Sequence, residues 1–374
     1  MIIAYLAVIA LLYIVQSLFK TGDGFRRVFL PIVVVVLLII IMGGTSNNPD
    51  YDVYRVMYSR GNQYKALGFQ TLMTIAKMIG FDYVSFRILV AVLGFALIFY
   101  SVRTLTNQEY IFWILYLVYP FCFDVVQLRN FLALAFMFLG TALLVTKEGN
   151  LLPKVAFVGC VLIAASMQVV AVVYLPILCI GYFRDKIPYR IFLLGMITLS
   201  FFLGLNREIA LDIINRYGSF ILNDETGGAN YLRINNRYGW VINWSEQFLN
   251  YGLIVLSSRY IMSNRSFFNQ KQLKYTYLLL GINEYMFLFM PLFALDENYT
   301  RIIRNILVLN LVVYTYCAYI GILKNSVRCR AQRLVLSGGP FVFAVGYQLV
   351  MLYLMYSSYS LTIFFPLLLQ NDLL

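Results

Sequence analysis

Stretches of roughly 15 to 20 apolar residues recur along almost the whole chain, separated by short polar loops. They fall at about 2–19, 27–44, 86–103, 110–122, 125–146, 151–166, 168–183, 190–206, 245–262, 273–295, 305–323 and 334–356. A helix needs about 20 apolar residues to cross a bilayer. Lipid offers backbone amides no partners, so helices and closed barrels are what cross it. The sequence therefore reads as an all-α polytopic membrane protein with about 12 transmembrane helices, one integral domain over residues 1–374. The pair 151–183 reads as two short helices or one long kinked one, and 357–369 is apolar but short. The run 2–19 has no basic leader and no small-residue cleavage site, which predicts a retained span. Composition agrees. The chain is 61% hydrophobic and 12% charged, against roughly 45–50% and 25% in soluble domains. A soluble enzyme, a secreted disulfide scaffold and a disordered regulator are excluded. The five cysteines show no paired spacing, so neither a disulfide frame nor a zinc site is implied. The chain has no histidine, which removes His acid–base chemistry and His ligation of metal or haem.

The net charge of +12 sorts by side. Loops 20–27, 103–109, 147–154, 184–190, 259–274 and 324–333 carry 17 Lys/Arg against four acids. By the positive-inside rule these are cytoplasmic, which predicts an outward N-terminus. The basic excess is thus an orientation signal, and no nucleic-acid partner is expected. The remaining basic residues are ten Arg and only Lys65 and Lys77. Arginine offers a planar fork that suits phosphate or carboxylate, where lysine offers a point charge. Solvated loop charges are the bland reading of outward arginines; an external anionic ligand is the sharp one.

Four outer segments carry the candidate chemistry. Segment 45–85 opens on Asn47-Asn48-Pro49-Asp50, which is turn chemistry. Asp50, Asp52 and Arg55 follow just beyond the second span. Tyr64, Leu67, Leu72, Ile75, Ala76 and Ile79 then predict a short amphipathic helix over about 64–80, lying at the outer interface. The second segment joins two spans and holds Gln127, Arg129 and Asn130. An arginine at that depth is costly in lipid and favours a polar cavity, although snorkelling is a competing account. The third, 207–243, is too long for a mere connector. It carries Arg233 and Arg237 among several Tyr and Trp, which suit sugar rings or an interfacial belt. The fourth places Arg301 and Arg304 three apart, on one side of a helix. Glu246 and Glu284 lie within predicted helices, Glu284 near mid-span. Such acids are ligand candidates or structural partners of an arginine.

With Asp50-Tyr51-x-x-Tyr54 after the second span, Gln127-Leu128-Arg129-Asn130 opening a central span and the late Arg301/Arg304 pair, the chain resembles the EpsG/Wzy-type polysaccharide polymerases. The resemblance implies a GT-C-like helical arrangement in the bacterial inner membrane, with the active site facing the periplasm or exterior. It also implies a metal-independent glycosyltransferase without cofactors. Its partners would be undecaprenyl-diphosphate-linked repeat units and a chain-length regulator. Such an enzyme moves the growing glycan from undecaprenyl diphosphate to the sugar end of an incoming lipid-linked unit. One departure is Gln168, where relatives carry His.

The residues fit that chemistry. Arg129, Arg301 and Arg304 suit a diphosphate leaving group. A carboxylate must take the acceptor's proton in the absence of His, with Asp50 first and Asp52 as substitute. Arg55, Gln127, Asn130, Arg233, Arg237 and Glu284 complete the substrate-binding candidates. The alternatives are a flippase or transporter of the same lipid-linked unit and another lipid-linked-sugar GT-C glycosyltransferase. A transporter would show repeated halves, and none is evident. A polymer ligase or membrane acyltransferase that uses His is excluded by composition.

Overall fold

The structure, a computed structural model, describes residues 29–46, 48–60, 66–118, 120–146, 151–184, 186–206, 208–210, 212–213, 216, 239–295, 299–323, 346, 371 and 373. The expected spans 2–19 and 334–356, and most of the outer loop 207–243, lie outside them. Among the described residues the structure is helical, and the β contact recorded is an isolated bridge between Thr45 and Asn371. Among the described residues four helices are long and apolar enough to cross a membrane: Tyr83–Leu105, Leu128–Thr146, Pro188–Leu205 and Gln270–Phe293. The chain divides into two compact units. One comprises Met1–Leu175, Tyr260–Tyr275 and Leu311–Leu374; the other comprises Pro176–Arg259 and Thr276–Asn310.

The first unit begins with α1 (Leu30–Gly44), α2 (Tyr51–Arg60), α3 (Leu67–Met78) and α4 (Tyr83–Leu105). α4 starts where the Asp82 side chain accepts from the Ser85 amide at 2.8 Å, an N-cap that also holds the Asp82 carboxyl below its usual range. Then follow α5 (Glu109–Val118), α6 (Phe121–Val126), α7 (Leu128–Thr146) and α8 (Leu151–Met167). The expected span 110–122 is therefore two short pieces. Pro120 has no amide with which to continue α5, and a second break falls at Gln127 before α7. α1 packs on α4, α4 on α7, and α7 on α8. The core between them is aromatic, with Phe95 meeting Trp113, Tyr116, Phe121 and Phe131 at ring-centroid distances of 4.8–6.2 Å.

α3 matches the expected amphipathic helix but distributes its apolar residues over two sides. Phe69, Met73 and Ala76 are buried, while Leu67, Ile75 and Met78 stay exposed, Met78 at 81%. α3 packs on α8, and its exposed side is apolar as well.

The second unit holds α9 (Ile180–Phe183), α10 (Ile187–Leu205), α11 (Gly239–Ser263) as far as Arg259, and parts of α12 (Gln270–Tyr285) and α14 (Thr300–Leu323). Ahead of α9, in the stretch 151–183 that the sequence reads as two short helices or one long kinked one, residues Val169–Cys179 form a 3-10 helix of 11 residues containing Pro176. At about 2.0 Å per residue it extends about 22 Å. α12 is also interrupted: it passes through a 3-10 turn, Met286–Phe289, into α13 (Met290–Leu295). Side chains occupy carbonyls around the break. Gln247 Nε2 donates to the Asn283 carbonyl at 3.2 Å and Ser200 Oγ to the Met290 carbonyl at 2.7 Å, which is how a broken helix is tolerated at membrane depth. Asn283 and Asn310 exchange two amide hydrogen bonds, 2.8 and 2.9 Å, and both are fully buried. Trp244, Phe287, Met290, Phe293 and Ile303 form the apolar core of this unit.

Two loops that charge counting assigns to one side, 103–109 and 259–274, do meet in the first unit. Lys271 Nζ donates to the Thr104 carbonyl at 3.1 Å, and Tyr316 of α14 donates to the Leu105 carbonyl at 2.8 Å. Beside them Glu109 is buried, and its Oε2 has no hydrogen-bond partner. Desolvation raises its pKa to about 7, against a smaller opposing pull from Arg103. Protonation in the folded state then stabilises the protein below the unfolded value near 4.5. That contribution fades as pH rises through about 7. Melting in detergent between pH 5 and 8 should fall by about 2 kcal/mol for the native chain. The Glu109→Gln variant should lose that slope; an unchanged slope in the variant would reject the assignment.

Candidate functional site

The turn after α1 builds the first part of the site. Asn48 Oδ1 accepts from the Asp50 amide at 3.2 Å, and the Asn48 carbonyl accepts from the Tyr51 amide at 2.9 Å. This Asx geometry starts α2 at once, as Asn-Pro-Asp chemistry predicts. The Asp50 carbonyl in turn accepts from the Tyr54 amide at 3.0 Å, closing the first helical turn. Asp50 is half-buried, whereas Asp52 and Arg55 are exposed. Of the two carboxylates, Asp50 is the one drawn into the protein.

α2 is anchored by its tyrosines. Tyr54 and Tyr58 are both buried, and Tyr58 donates to the Phe81 carbonyl at 2.6 Å. Burial, with Asp82 nearby, raises the Tyr58 pKa above its ordinary value, so the hydroxyl stays a donor. Its ring stacks on Phe86 at 5.0 Å, and Tyr54 meets Phe69 of α3 at 5.9 Å.

The second part comes from the start of α7. The Gln127 carbonyl accepts from the Phe131 amide at 2.9 Å, so Gln127 caps the helix and Arg129 falls in its first turn. Arg129 Nε donates to the Tyr54 hydroxyl at 3.4 Å, and its guanidinium carbon lies 5.8 Å from the Tyr54 ring centroid. The motif Asp50-Tyr51-x-x-Tyr54 and the motif Gln127-Leu128-Arg129-Asn130, 75 residues apart at this contact, therefore meet. Asp50 and Tyr54 are one helical turn apart in the first unit, joined by the bond from the Tyr54 amide to the Asp50 carbonyl. Gln127 is half-buried and Asn130 is 3% exposed. Within the same core Tyr116 donates to Asp124 Oδ2 at 2.7 Å.

Sequence reading passes over Arg87. It lies inside α4 and is 1% exposed. Its Nε donates to the Gly43 carbonyl at 3.2 Å and its Nη2 to the Met42 carbonyl at 2.7 Å. The rings of Tyr51 and Tyr83 lie 5.2 and 5.8 Å from its guanidinium carbon. Gly43 permits this approach, because a Cβ there would come within 2.6 Å of Ile88 Cγ1.

In the second unit Arg301 and Arg304 occupy the first turns of α14, both half-buried, and Ile302 and Ile303 between them are buried. They share the side that the three-residue spacing predicts. Glu284 is bound instead by this unit's own groups. Arg184 Nε donates to its Oε2 at 2.9 Å, Arg184 Nη2 to Oε1 at 3.5 Å, and Tyr251 to Oε1 at 3.4 Å. The Tyr277 ring lies 4.5 Å from the same guanidinium carbon. This is the structural pairing that the sequence left open beside a substrate role. Arg233 and Arg237 lie outside the described residues.

Among the described residues, no group of three or more Cys, Asp or Glu is placed to hold a metal ion. A pocket of about 260 Å³ near the 103–109 loop is lined by Thr106, Gln108, Asn269, Gln272 and aromatic rings, with no charged side chain. It offers nothing that suits a diphosphate.

No curated protein and no solved structure matches the chain. The family model of the EpsG family matches residues 27–369. That match takes in both units and every one of the motifs above, so the chain belongs to the EpsG family, a family of Wzy-type polysaccharide polymerases.

Proposed function

We propose that this protein polymerises lipid-linked oligosaccharide units at the outer face of the bacterial inner membrane. The growing glycan leaves undecaprenyl diphosphate and is joined to the sugar end of an incoming unit. The observation that carries the reading is the Arg129–Tyr54 contact, which ties a half-buried guanidinium to the helix that Asp50 opens. In the transfer step Asp50 takes the proton of the acceptor hydroxyl. The hydroxyl oxygen bonds to the anomeric carbon of the growing chain. The bond from that carbon to the diphosphate oxygen breaks, and its electron pair stays with the diphosphate. Arg129 stabilises the charge that develops there. Asp52 is the substitute base, and Arg55, Gln127 and Asn130 are polar groups for the sugar or the acceptor's phosphates.

Arg301 and Arg304 are proposed as a second phosphate grip, for which a helix N-terminus adds favourable partial charge. Arg233 and Arg237 are proposed sugar contacts. Glu284, held by Arg184, is proposed as structural. A GT-C-like arrangement of about 12 spans, the absence of a metal requirement and a chain-length regulator as partner belong to the same reading.

The test is a deletion strain whose surface glycan is resolved by size. Loss of a polymerase leaves single repeat units displayed on the surface. Loss of a flippase leaves none, and that outcome would transfer the function to transport. A restored ladder on complementation with the full chain ties the effect to this protein.

A further inference from the structure

α1 ends at Gly44, ahead of the Asn48 turn that leads into α2, and carbonyls at a helix end run short of helical partners. Those from Ile40 to Gly43 each receive a side-chain donor, and Ile41 keeps the Thr45 amide as well, 3.0 Å away. Thr45 Oγ1 donates to the Ile41 carbonyl, Asn371 Nδ2 donates to the Ile40 and Ile41 carbonyls at 3.3 Å each, and Arg87 takes those of Met42 and Gly43. Arg87 is the charged member of this set, and positive charge at a helix C-terminus complements the macrodipole. The same guanidinium carries Tyr51 against it, and Tyr51 meets Tyr83 edge-on at 5.2 Å. Tyr51 is the residue immediately after Asp50.

An arginine buried at membrane depth is costly and is kept for a reason. Here the guanidinium is occupied on its edges by two carbonyls and lies close to two rings, so it is not a phosphate ligand. We propose that Arg87 is a positioning residue for polymerisation: by joining the end of α1 to Tyr51 it fixes the start of α2, and with it the direction of the neighbouring Asp50 carboxylate. The inference rests on the reading of Asp50 as the proton acceptor. It explains why an arginine is required. Lysine supplies one ammonium at a point, whereas the fork reaches two successive carbonyls and its plane lies against an aromatic ring. Misplacing a reacting group by about 1 Å costs on the order of a hundredfold in rate without changing what is bound.

The experiment uses the full chain in membranes of the deletion strain, with lipid-linked repeat units extracted from that strain as substrate. Arg87→Lys is expected to lower kcat at least tenfold and leave KM within about twofold, at unchanged levels of folded protein. Arg87→Met leaves two carbonyls unpaired and serves as a folding control only. Tyr51 provides the independent variant. Tyr51→Phe keeps the ring and is expected near wild-type turnover, and Tyr51→Leu is expected to repeat the Arg87→Lys loss. Combined with Arg87→Lys, it should add little.

Wild-type kcat in Arg87→Lys, or a fall in kcat matched by an equal fall in folded protein, overturns the inference. A raised KM at unchanged kcat overturns it too, because that is the signature of a binding residue. Asp50→Asn is measured alongside. If Asp50→Asn keeps its turnover, the reading of the site falls and the inference falls with it. If Asp50→Asn is inactive while Arg87→Lys is fully active, only the inference falls.

Discussion

Asp50→Asn and Arg129→Ala are each expected to reduce surface polymer to single repeat units, at wild-type levels of inserted protein. For Asp50 the expected loss in turnover is about 10²–10⁴, the range for removing a general base. For Arg129 it is about 10²–10³, comparable to deleting a preorganised group that meets developing charge. Arg129→Lys should recover part of the loss, because it restores charge without the planar fork. Asp52→Asn is the informative control. Asp52 is exposed on α2 while Asp50 is half-buried, so Asp52→Asn should keep a normal ladder of chain lengths. Polymer of wild-type length from both Asp50→Asn and Arg129→Ala would end the proposed mechanism. An inactive Asp52→Asn beside an active Asp50→Asn would move the base two residues along.

The second large effect concerns stability. Glu284→Leu strands the Arg184 guanidinium, which donates twice to that carboxylate in a partly buried setting with side-chain exposures of 14% and 19%. Removing one partner of such a pair costs about 3 kcal/mol, measurable as a lower melting temperature in detergent. Arg184→Met combined with Glu284→Leu should recover most of it, since a well-packed apolar replacement of both partners is often close to neutral. Polymerisation then separates the two roles open to Glu284. If the double variant regains stability and activity together, the pair is structural. If it regains stability and stays inactive, Glu284 touches substrate.

The parts of this protein that were legible in its sequence are those governed by local rules. Asn48-Pro49-Asp50 reads as a turn and forms one. The apolar runs at 86–103 and 125–146 become α4 and α7, displaced by a few residues at their ends. Gln127 and Arg129 are marked as a polar cluster at a span boundary, and the boundary is there. What was not legible depends on pairing at a distance. Arg87 reads as a charge inside a span because its acceptors are backbone carbonyls 44 and 45 residues earlier, and a carbonyl has no letter in a sequence. Glu284 reads as a ligand candidate or the partner of an arginine, and the sequence does not say which arginine because Arg184 is 100 residues away. The break in 151–183 was legible, as two short helices or a kink, but the 3-10 winding of Val169–Cys179 was not, because an apolar run has the same composition whether it winds with 3.0 or about 3.6 residues per turn. α3 shows a further limit. Periodicity reported an apolar stripe, yet Leu67, Ile75 and Met78 are exposed while Phe69, Met73 and Ala76 are buried, so its apolar residues do not sort into a single face.

The knot at the end of α1 bears on how far this polymerase can be re-engineered. Segment 45–60 looks like a transferable cassette in the linear sequence, but its closing group is lent by α4, further along the chain. A chimera that imports those residues from another enzyme inherits Tyr51 without the guanidinium that receives it, unless the graft brings position 87 as well. Swapping specificity between such polymerases is therefore a matter of exchanging the strap and its buckle together.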